Sequence, residues 1–466
     1  MKQKEAVGMI SLGCAKNRVD SEIMLGELQR GGHRVVRELD DAETVIVNTC
    51  GFIDEAKEES VDAILEVARL RASGRVGKLL VAGCMVNRYG DELAAEIPEI
   101  DGFVSLDQLR EVDSLVRLGG GNASPPAPGP AHLVFDHTAP RLLTTHGYAY
   151  LKVAEGCNNP CTFCAIPKWR GRFRSRTIDS LVAEARELEA SGIGELVLIA
   201  QDTTRYGQDL DYGRHGLVRL VEALLAGTSV PWIRFLYAYP TTLDPELLRL
   251  MGEEERFVSY LDMPLQHSHP EILKAMRRGG NPSRYQRLLD RARELAPDVF
   301  LRTTFIVGFP GERQEHFEHL LDFVRANRFD HLGGFVYSPE PGTPGADLPG
   351  RVPRNKAARR HRQLLETQEP IARERRQALV GRTTRVLVEG VCDESEHLLQ
   401  GRHHGMAPEI DGRLLINDGT APAGTFAEVE VTDAFADDLV GRIVGPAGAP
   451  GVVPAEPLEA ELATVG

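Results

Sequence analysis

At 466 residues the chain is too long for a single hydrophobic core, and about three domains are expected. A hydrophobic content of 42% with 26% charged residues is ordinary for a globular protein and excludes a disordered or fibrous chain. The net charge of −14 argues against a surface devoted to nucleic acid and favours a basic partner.

The chain opens MKQKEAVGMISLGC. Ser11-Leu12-Gly13-Cys14 resembles a lipoprotein cleavage box, but the apolar stretch from Ala6 to Gly13 is at the short limit for a signal segment and contains two glycines. No run of about 18 apolar residues exists, so no transmembrane helix is expected. Seven cysteines, an odd number without a secretory segment, indicate a reducing compartment, the cytoplasm, and no disulfide framework.

Residues 6–120 alternate strand and helix. Met9–Gly13, Val45–Thr49 and Leu79–Gly83 are short apolar runs bounded by turn residues, as buried parallel strands are. Ser21–Arg30 and Glu55–Leu70 have helical spacing, which predicts an open α/β domain. Each strand ends on a cysteine: Cys14, Cys50 and Cys84. Ligands of open α/β sheets gather beyond the carboxyl ends of the strands, and neighbouring strands lie about 4.8 Å apart. Three thiols at that position can share one ligand. The alternative, three small buried core residues, accounts for one such cysteine better than for three.

Residues 121–145 form a linker by composition, around GGGNASPPAPGP. Six strands follow within 146–376: Tyr148–Ala154, Glu195–Ala200, Trp232–Ala238, Val258–Leu265, Val299–Gly308 and His331–Ser338. Helical patterns such as Ser180–Ala190 and Glu315–Asn327 separate them. This predicts a partial (β/α)6 version of the eight-fold TIM barrel, with its chemistry at the carboxyl ends of the strands. Arg351–Arg376 reads as a basic, solvated linking helix interrupted at Pro370. Alternating runs with glycine-rich turns between Arg382 and Val444 predict a small β-barrel over 379–445, followed by a flexible tail at 446–466.

The second cysteine group is tight. Cys157, Cys161 and Cys164 follow the first barrel strand in EGCNNPCTFC. Thiolates suit zinc or iron–sulfur. A structural zinc site wants a fourth ligand close by, and His146, the nearest candidate, lies at the other end of the intervening strand. Two groups of three thiolates suit four-iron clusters, each with one iron left open for substrate or cofactor.

The spacing, with Phe163 before the third cysteine, resembles the radical S-adenosylmethionine (SAM) enzymes. In that superfamily the three cysteines bind a [4Fe-4S] cluster whose free iron chelates SAM, and reductive cleavage yields a 5′-deoxyadenosyl radical. The stretches SLGCAKNRVDSE, VNTCGFIDEA, VAGC, EGCNNPCTFCAIPKWRGRFRSR, DMPLQH and FIVGFPGE resemble one branch, the methylthiotransferases. That resemblance implies a carboxy-terminal barrel of the TRAM type and a second [4Fe-4S] cluster on Cys14, Cys50 and Cys84. One SAM would methylate sulfur at this auxiliary cluster, and a second would supply the radical. Phe163 would pack on the adenine. Gln201 and Asp202 would face the same mouth. Gly308, Pro310 and Gly311 would let the backbone approach the adenosine. Lys168, Arg170 and Arg172 are candidates to meet a carboxylate. No catalytic side chain is assigned beyond the cluster ligands.

Methylthiotransferases modify either an adenosine of tRNA or an aspartate of small-subunit ribosomal protein twelve. YAYLKVAEGCNNPCTFC, LIAQDTTRYGQDL and VNTCGFIDEA look closer to the protein-modifying branch. The carboxy-terminal barrel agrees. Between Gly381 and Gly445 it has five Arg, no Lys and twelve Asp or Glu, and its only Phe, Trp or Tyr residues are Phe426 and Phe435. A phosphate-gripping module should be basic, whereas a basic ribosomal protein suits an acidic one. The expected partners are that protein, a sulfur donor and a low-potential electron donor, with no membrane and no DNA. The rival readings are the tRNA enzyme, for which the basic helix speaks, and a non-catalytic iron–sulfur or zinc module that binds the ribosome.

Overall fold

The computed structural model describes residues 5–118, 124–435 and 437–445. The expected tail at 446–466 lies outside the described residues. The first unit comprises β1 (Ala6–Ser11), α1 (Ala15–Arg30), β2 (Arg34–Val35), β3 (Thr44–Thr49), α2 (Asp54–Ala72), β4 (Lys78–Gly83), α3 (Cys84–Glu96), β5 (Gly102–Val104) and α4 (Val112–Leu118). Its sheet is parallel, in the order β2-β1-β3-β4-β5. Every residue of β3 is buried, which is why the strand reads as an unbroken run rather than an alternation. Helix α1 begins at Ala15, six residues ahead of the expected Ser21, because Lys16, Asn17 and Asp20 are buried against other parts of the protein. β2 and β5 have two and three residues, too short to show a period.

Residues 124–145 carry no helix or strand, as their composition implies, yet they are anchored. Ala131, Ala139 and Leu142 are buried, and Arg141 bridges Glu22 of α1 and Glu184 of the following unit.

That unit runs β6 (Tyr148–Lys152), β7 (Ala154–Glu155), α5 (Ile166–Trp169), β8 (Arg174–Ser175), α6 (Ile178–Ala190), β9 (Glu195–Ile199), α7 (Gly216–Gly227), β10 (Trp232–Phe235), α8 (Pro245–Glu253), β11 (Tyr260–Asp262), α9 (Pro270–Ala275), α10 (Pro282–Leu295), β12 (Phe300–Val307), α11 (Gln314–Asn327) and β13 (His331–Val336). β6-β9-β10 and β11-β12-β13 are parallel runs, and a bridge from Ile233 to Phe257 joins them. Among the described residues β13 does not pair with β6, so the barrel is open. β7 and β8 form a separate ribbon at the base of the cysteine loop.

Helix α12 (Arg354–Gln377) packs on β13 and α11. It corrects two expectations. It runs unbroken through Pro370, and it is not simply solvated. Proline removes the donor to the Glu366 carbonyl, but a buried face of Ala357, Arg360, Leu364, Gln368 and Ile371 holds the helix in place. Arg360, 1% exposed, pairs with Glu312 at 2.8 Å.

The last unit is a closed barrel of β14 (Thr383–Cys392), β15 (Ser395–His403), β16 (Leu414–Asp418), β17 (Phe426–Ala434) and β18 (Leu439–Ile443), in the order β14-β15-β16-β18-β17. One apolar cluster crosses all three units. It includes Met9, Ile23 and Leu28, then Tyr148, Tyr150, Trp232 and Tyr260, then Leu387 and Phe426. Trp232 meets Phe426 edge-on at 4.7 Å. Asp411 of the small barrel accepts from Tyr260 Oη at 2.6 Å and pairs with Arg302 at 3.2 Å. Part of that barrel's acidity is therefore spent inside the protein rather than presented to a partner.

Candidate functional site

A cavity of about 390 Å³ opens between the first unit and the carboxyl ends of the barrel strands. All six cysteines of the two triads line it: Cys14, Cys50 and Cys84 on one wall, and Cys157, Cys161 and Cys164 on the other. The volume falls in the range of roughly 300–1,000 Å³ usual for small-molecule sites.

The auxiliary wall is built by strand-to-helix turns. Cys14 is the N-cap of α1, and Cys84 is the first residue of α3. Helix N-termini favour anions through their free N–H groups and dipoles. Gly13 and Gly83 both have φ of +93°. A Cβ on Gly13 would lie 2.7 Å from the Cys50 Cβ, and one on Gly83 would lie 2.3 Å from Asn48 Oδ1. Only glycine fits either position.

Asn17 ties the three turns together. Its Nδ2 donates to the carbonyls of Leu12 and Thr49, each at 2.9 Å. Its Oδ1 accepts from Arg170 Nη2 at 2.7 Å and faces Cys84 Sγ at 3.9 Å. Arg170 belongs to the barrel's cysteine loop, so the two walls are bonded directly. Arg170 also pairs with Asp20 at 2.9 Å and Glu155 at 3.1 Å, and Lys152 pairs with the same two carboxylates. All four side chains are 6% exposed or less. Burial works against the Glu155 carboxylate, but Arg170 and Lys152 outweigh it and hold its pKa well below the usual range.

On the opposite wall, Phe163 packs with Cys161, Tyr239, Ile272, Met276 and Phe309. Arg278 lies 3.9 Å over the Tyr239 ring, with Nη1 3.8 Å from Cys161 Sγ. Gln201 lines the cavity and donates to Glu155 Oε1 at 2.6 Å, which leaves its buried Oε1 without a partner. Asp202 stands one layer back and accepts from Asn159 Nδ2 at 2.7 Å.

Gly308, Pro310 and Gly311 are not brought to this wall. Gly308 and Pro310 line a neighbouring cleft with Tyr337 and Ala357. A Cβ on Gly308 would lie 2.5 Å from the Ala357 Cβ of α12, so its smallness serves helix packing. Gly311 makes a turn, its N–H bonded to the Gly350 carbonyl at 2.9 Å. Lys168 bonds the Gly342 carbonyl, and Arg172 is exposed.

The sequence did not single out Lys16, Tyr237, Tyr239, Gln266 or Arg278, all of which line the cavity. Tyr237 and Gln266 follow the ends of β10 and β11 and have φ of +65° and +72°. A bulky residue in that region is an outlier costing about 1–3 kcal/mol, and such outliers cluster at functional sites. Lys16 was within reach of sequence reasoning, two residues after a ligand candidate.

Among the described residues no group of His, Cys, Asp and Glu is arranged to hold a metal ion. A multi-iron cluster differs from a single ion, because it keeps its thiolates apart on separate corners. The donor set fits such a cluster: three thiols per wall, flanked by cations and helix N-termini. Burial pushes the Cys50 thiol up to about 12 and Cys157 to about 11. It acts against the Cys14 thiolate too, but Lys16, Arg170 and two backbone N–H groups outweigh it there and lower the pKa.

An open β/α barrel with three thiols at its mouth, facing three more on a parallel sheet, defines a radical SAM enzyme of the methylthiotransferase class. The comparisons agree. Residues 151–324 match the Radical SAM superfamily, 6–105 the Uncharacterized protein family UPF0004, and 380–444 the TRAM domain. The ribosomal protein uS12 methylthiotransferase RimO of Myxococcus xanthus (strain DK1622) is 48% identical, over 94% of this chain and 91% of that protein. The protein of the same description from Anaeromyxobacter sp. (strain K) is 48% identical over 97% and 96%. The one from Solibacter usitatus is 45% identical over 97% of each. The radical SAM methyltransferase TsrM of Kitasatospora setae shares the fold, with a TM-score of 0.54 at 15% identity, over 74% of this chain and 75% of that one. The chain belongs to the RimO family of ribosomal protein uS12 methylthiotransferases.

Proposed function

We propose that this protein adds a methylthio group to the β-carbon of an aspartate in ribosomal protein uS12. Cys157, Cys161 and Cys164 hold the [4Fe-4S] cluster that binds SAM, and Cys14, Cys50 and Cys84 hold the auxiliary [4Fe-4S] cluster. The observation that carries the reading is the sharing of one cavity by both triads. When bound, these groups supply reductive cleavage of SAM, abstraction of the substrate hydrogen and the methylthio group.

The chain's residues orient and enclose. Phe163, Tyr239 and Met276 form an apolar wall beside the barrel thiols, suited to an adenine face. Gln201 lines the same space, and its buried Oε1 has no hydrogen-bond partner. The Asn17–Arg170 bond and the four-ion network beside it fix one wall against the other. Tyr237 and Gln266, both at positive φ, line the same cavity.

At the mouth, Phe52 and Phe335 are 36% and 49% exposed. Apolar rings around a polar cavity suit burial of a protein loop. The small barrel presents Asp393, Glu394, Glu396, Asp418, Glu428, Asp433 and Asp437 to solvent, a surface matched to a basic ribosomal protein. Among the described residues no helix is long and apolar enough to cross a membrane. A sulfur donor and a low-potential electron donor complete the reaction, and thiols left free of disulfides suit the reducing cytoplasm.

The test is mass analysis of ribosomal proteins from cells lacking this protein, together with anaerobic reconstitution. Loss of one methylthio group from uS12, with about eight irons per chain and SAM cleavage, is the expected result. Loss of the group from tRNA instead would replace the substrate, and bound zinc without cleavage would replace the enzyme with a binding module.

A further inference from the structure

Three cations line the cavity: Lys16, Arg170 and Arg278. Arg170 is saturated by Asp20, Glu155 and Asn17. Arg278 stands against Cys161 and Tyr239, on the barrel side. Lys16 stands on the auxiliary side, two residues from Cys14. It is 7% exposed, with its ammonium 3.4 Å from the centroid of the Tyr237 ring. Its strongest electrostatic neighbours are Tyr237, Cys14 and Arg170. None is a carboxylate, and among the described residues Lys16 makes no ion pair with one.

Burying an ammonium without a full counter-charge is unfavourable, and a desolvated cation–π contact offsets only part of that. Among the described residues, the one anion offered to Lys16 is the Cys14 thiolate, itself a cluster-ligand candidate, and no carboxylate pairs with it. Tyr237 is fixed in its strained conformation by two bonds: its N–H donates to Asp262 Oδ2 at 2.9 Å, and its carbonyl accepts from the Thr203 N–H at 3.2 Å. The ring thus holds Lys16 in place before any ligand arrives.

Resting on the uS12 aspartate reading, the chemistry says which carboxylate would meet Lys16. The carbon that takes up the methylthio group is bonded directly to the carboxyl carbon. A β-carbon presented to the auxiliary wall brings its carboxylate to that same wall, where Lys16 waits. We propose that Lys16 is the residue that reads the target side chain, pairing its ammonium with the aspartate carboxylate and so selecting aspartate over its amide.

The experiment uses the full-length, anaerobically reconstituted protein and two labelled peptides of the uS12 target loop, one with the native aspartate and one with asparagine in its place. Equilibrium binding is read by fluorescence anisotropy without SAM, and kcat/KM is read by mass analysis. Wild type is expected to bind the aspartate peptide about ten-fold or more tightly than the asparagine peptide. Lys16→Met should lose about that factor toward the aspartate peptide alone, so that the preference disappears. Lys16→Arg should keep most of it. Iron content should stay near the wild-type value in both variants, because Arg170 and two backbone N–H groups still favour the Cys14 thiolate. A Lys16→Met protein that still prefers aspartate as wild type does would overturn the proposal. So would loss of the auxiliary iron in that variant, because Lys16 would then serve to balance the cluster's charge. If wild type binds neither peptide, the uS12 reading itself fails, a result visible before any variant is made.

Discussion

Replacing Asp20 with asparagine removes one charge from the network between the first unit and the barrel while leaving its volume almost unchanged. Asp20 is 1% exposed and contacts Lys152 through Oδ1 and Arg170 through Oδ2, the latter at 2.9 Å. At an effective dielectric of about 20, the second contact alone is an attraction of about 6 kcal/mol before desolvation. Without Asp20, Glu155 alone faces both Lys152 and Arg170, at 3.0 and 3.1 Å, and one buried positive charge is uncompensated. Breaking a buried pair from one side costs about 3–5 kcal/mol. The asparagine oxygen still accepts from one cation, which puts the expected loss near about 3 kcal/mol. Urea unfolding followed by circular dichroism and by the fluorescence of Trp169 and Trp232 measures it. Because one apolar cluster crosses all three units, both probes should report a single transition. Asp322→Asn breaks an exposed pair with Arg325 and should cost below about 1 kcal/mol. Adding Arg170→Met to Asp20→Asn leaves one carboxylate facing one ammonium, so the double variant should lose less than the sum of the singles, by about 1 kcal/mol or more. Additive losses, or an Asp20→Asn loss no larger than that of the exposed pair, would refute the electrostatic argument.

Alanine at any one of Cys14, Cys50 or Cys84 should lower reconstituted iron from about eight to about four per chain and end methylthio transfer while SAM cleavage persists; alanine at Cys157, Cys161 or Cys164 should end both, and full transfer by Cys50→Ala would show the auxiliary role misassigned. Gly83→Ala forces a Cβ to 2.6 Å from the Thr49 carbonyl at a φ of +93°; it should cost about 1–3 kcal/mol and deplete auxiliary iron before barrel iron in an iron assay. Acidification should loosen the seat of the small barrel through His403 and His404. Burial, together with Arg234, depresses His404 to about 4, and burial, with His404, His331, Arg234 and Arg402 around it, holds His403 well below its ordinary value. Both folded values lie below the unfolded value of about 6.5, so the unfolded chain takes up protons first. This contribution is complete above about pH 6.5 and falls by up to roughly 1.4 kcal/mol per pH unit per histidine as pH drops toward 4. Urea midpoints at pH 7.5, 6 and 5 should fall in order, and less steeply in His404→Gln; equal slopes for variant and wild type would exclude His404 as a source.

The sequence announced what burial writes into composition. β6, β9, β10 and β11 of the open barrel, and β1, β3 and β4 of the first sheet, are buried along nearly their whole length because parallel strands are covered on both faces, whereas β12 and β13 are only partly so; cysteine spacing carries the thiol triads. What it hid depends on long-range contact. Lys16, Asn17 and Asp20 are polar, so α1 seemed to begin after them, yet they are buried by contacts with the barrel and its loop. Pro370 reads as a break and is carried through because α12 has a core to pack against. Gly308 looks like backbone room for a ligand and proves to be room for Ala357. Tyr237 and Gln266 carry no sign of their strained backbone, since neither residue type favours it.

The two cavity walls belong to different units, so neither fold alone sets the separation of the thiol triads; docking sets it. The apolar cluster between the units is non-directional, and a slide of about 1 Å would leave most of its area buried. The same slide would break hydrogen bonds, which weaken steeply with misalignment. Asn17 grips the Cys14 and Cys50 turns, faces Cys84, and through Arg170 grips the loop of Cys157, Cys161 and Cys164. A buried ionic network is weak evidence for stability, but one placed between the triads converts docking into register. Loosening it with Asn17→Ala should therefore separate the two halves of the reaction. SAM cleavage, which needs only the barrel wall, should persist near the wild-type rate, while methylthio transfer, which needs both walls, should fall about ten-fold or more. Parallel decline of both would show that the network supports the fold and does not set the register.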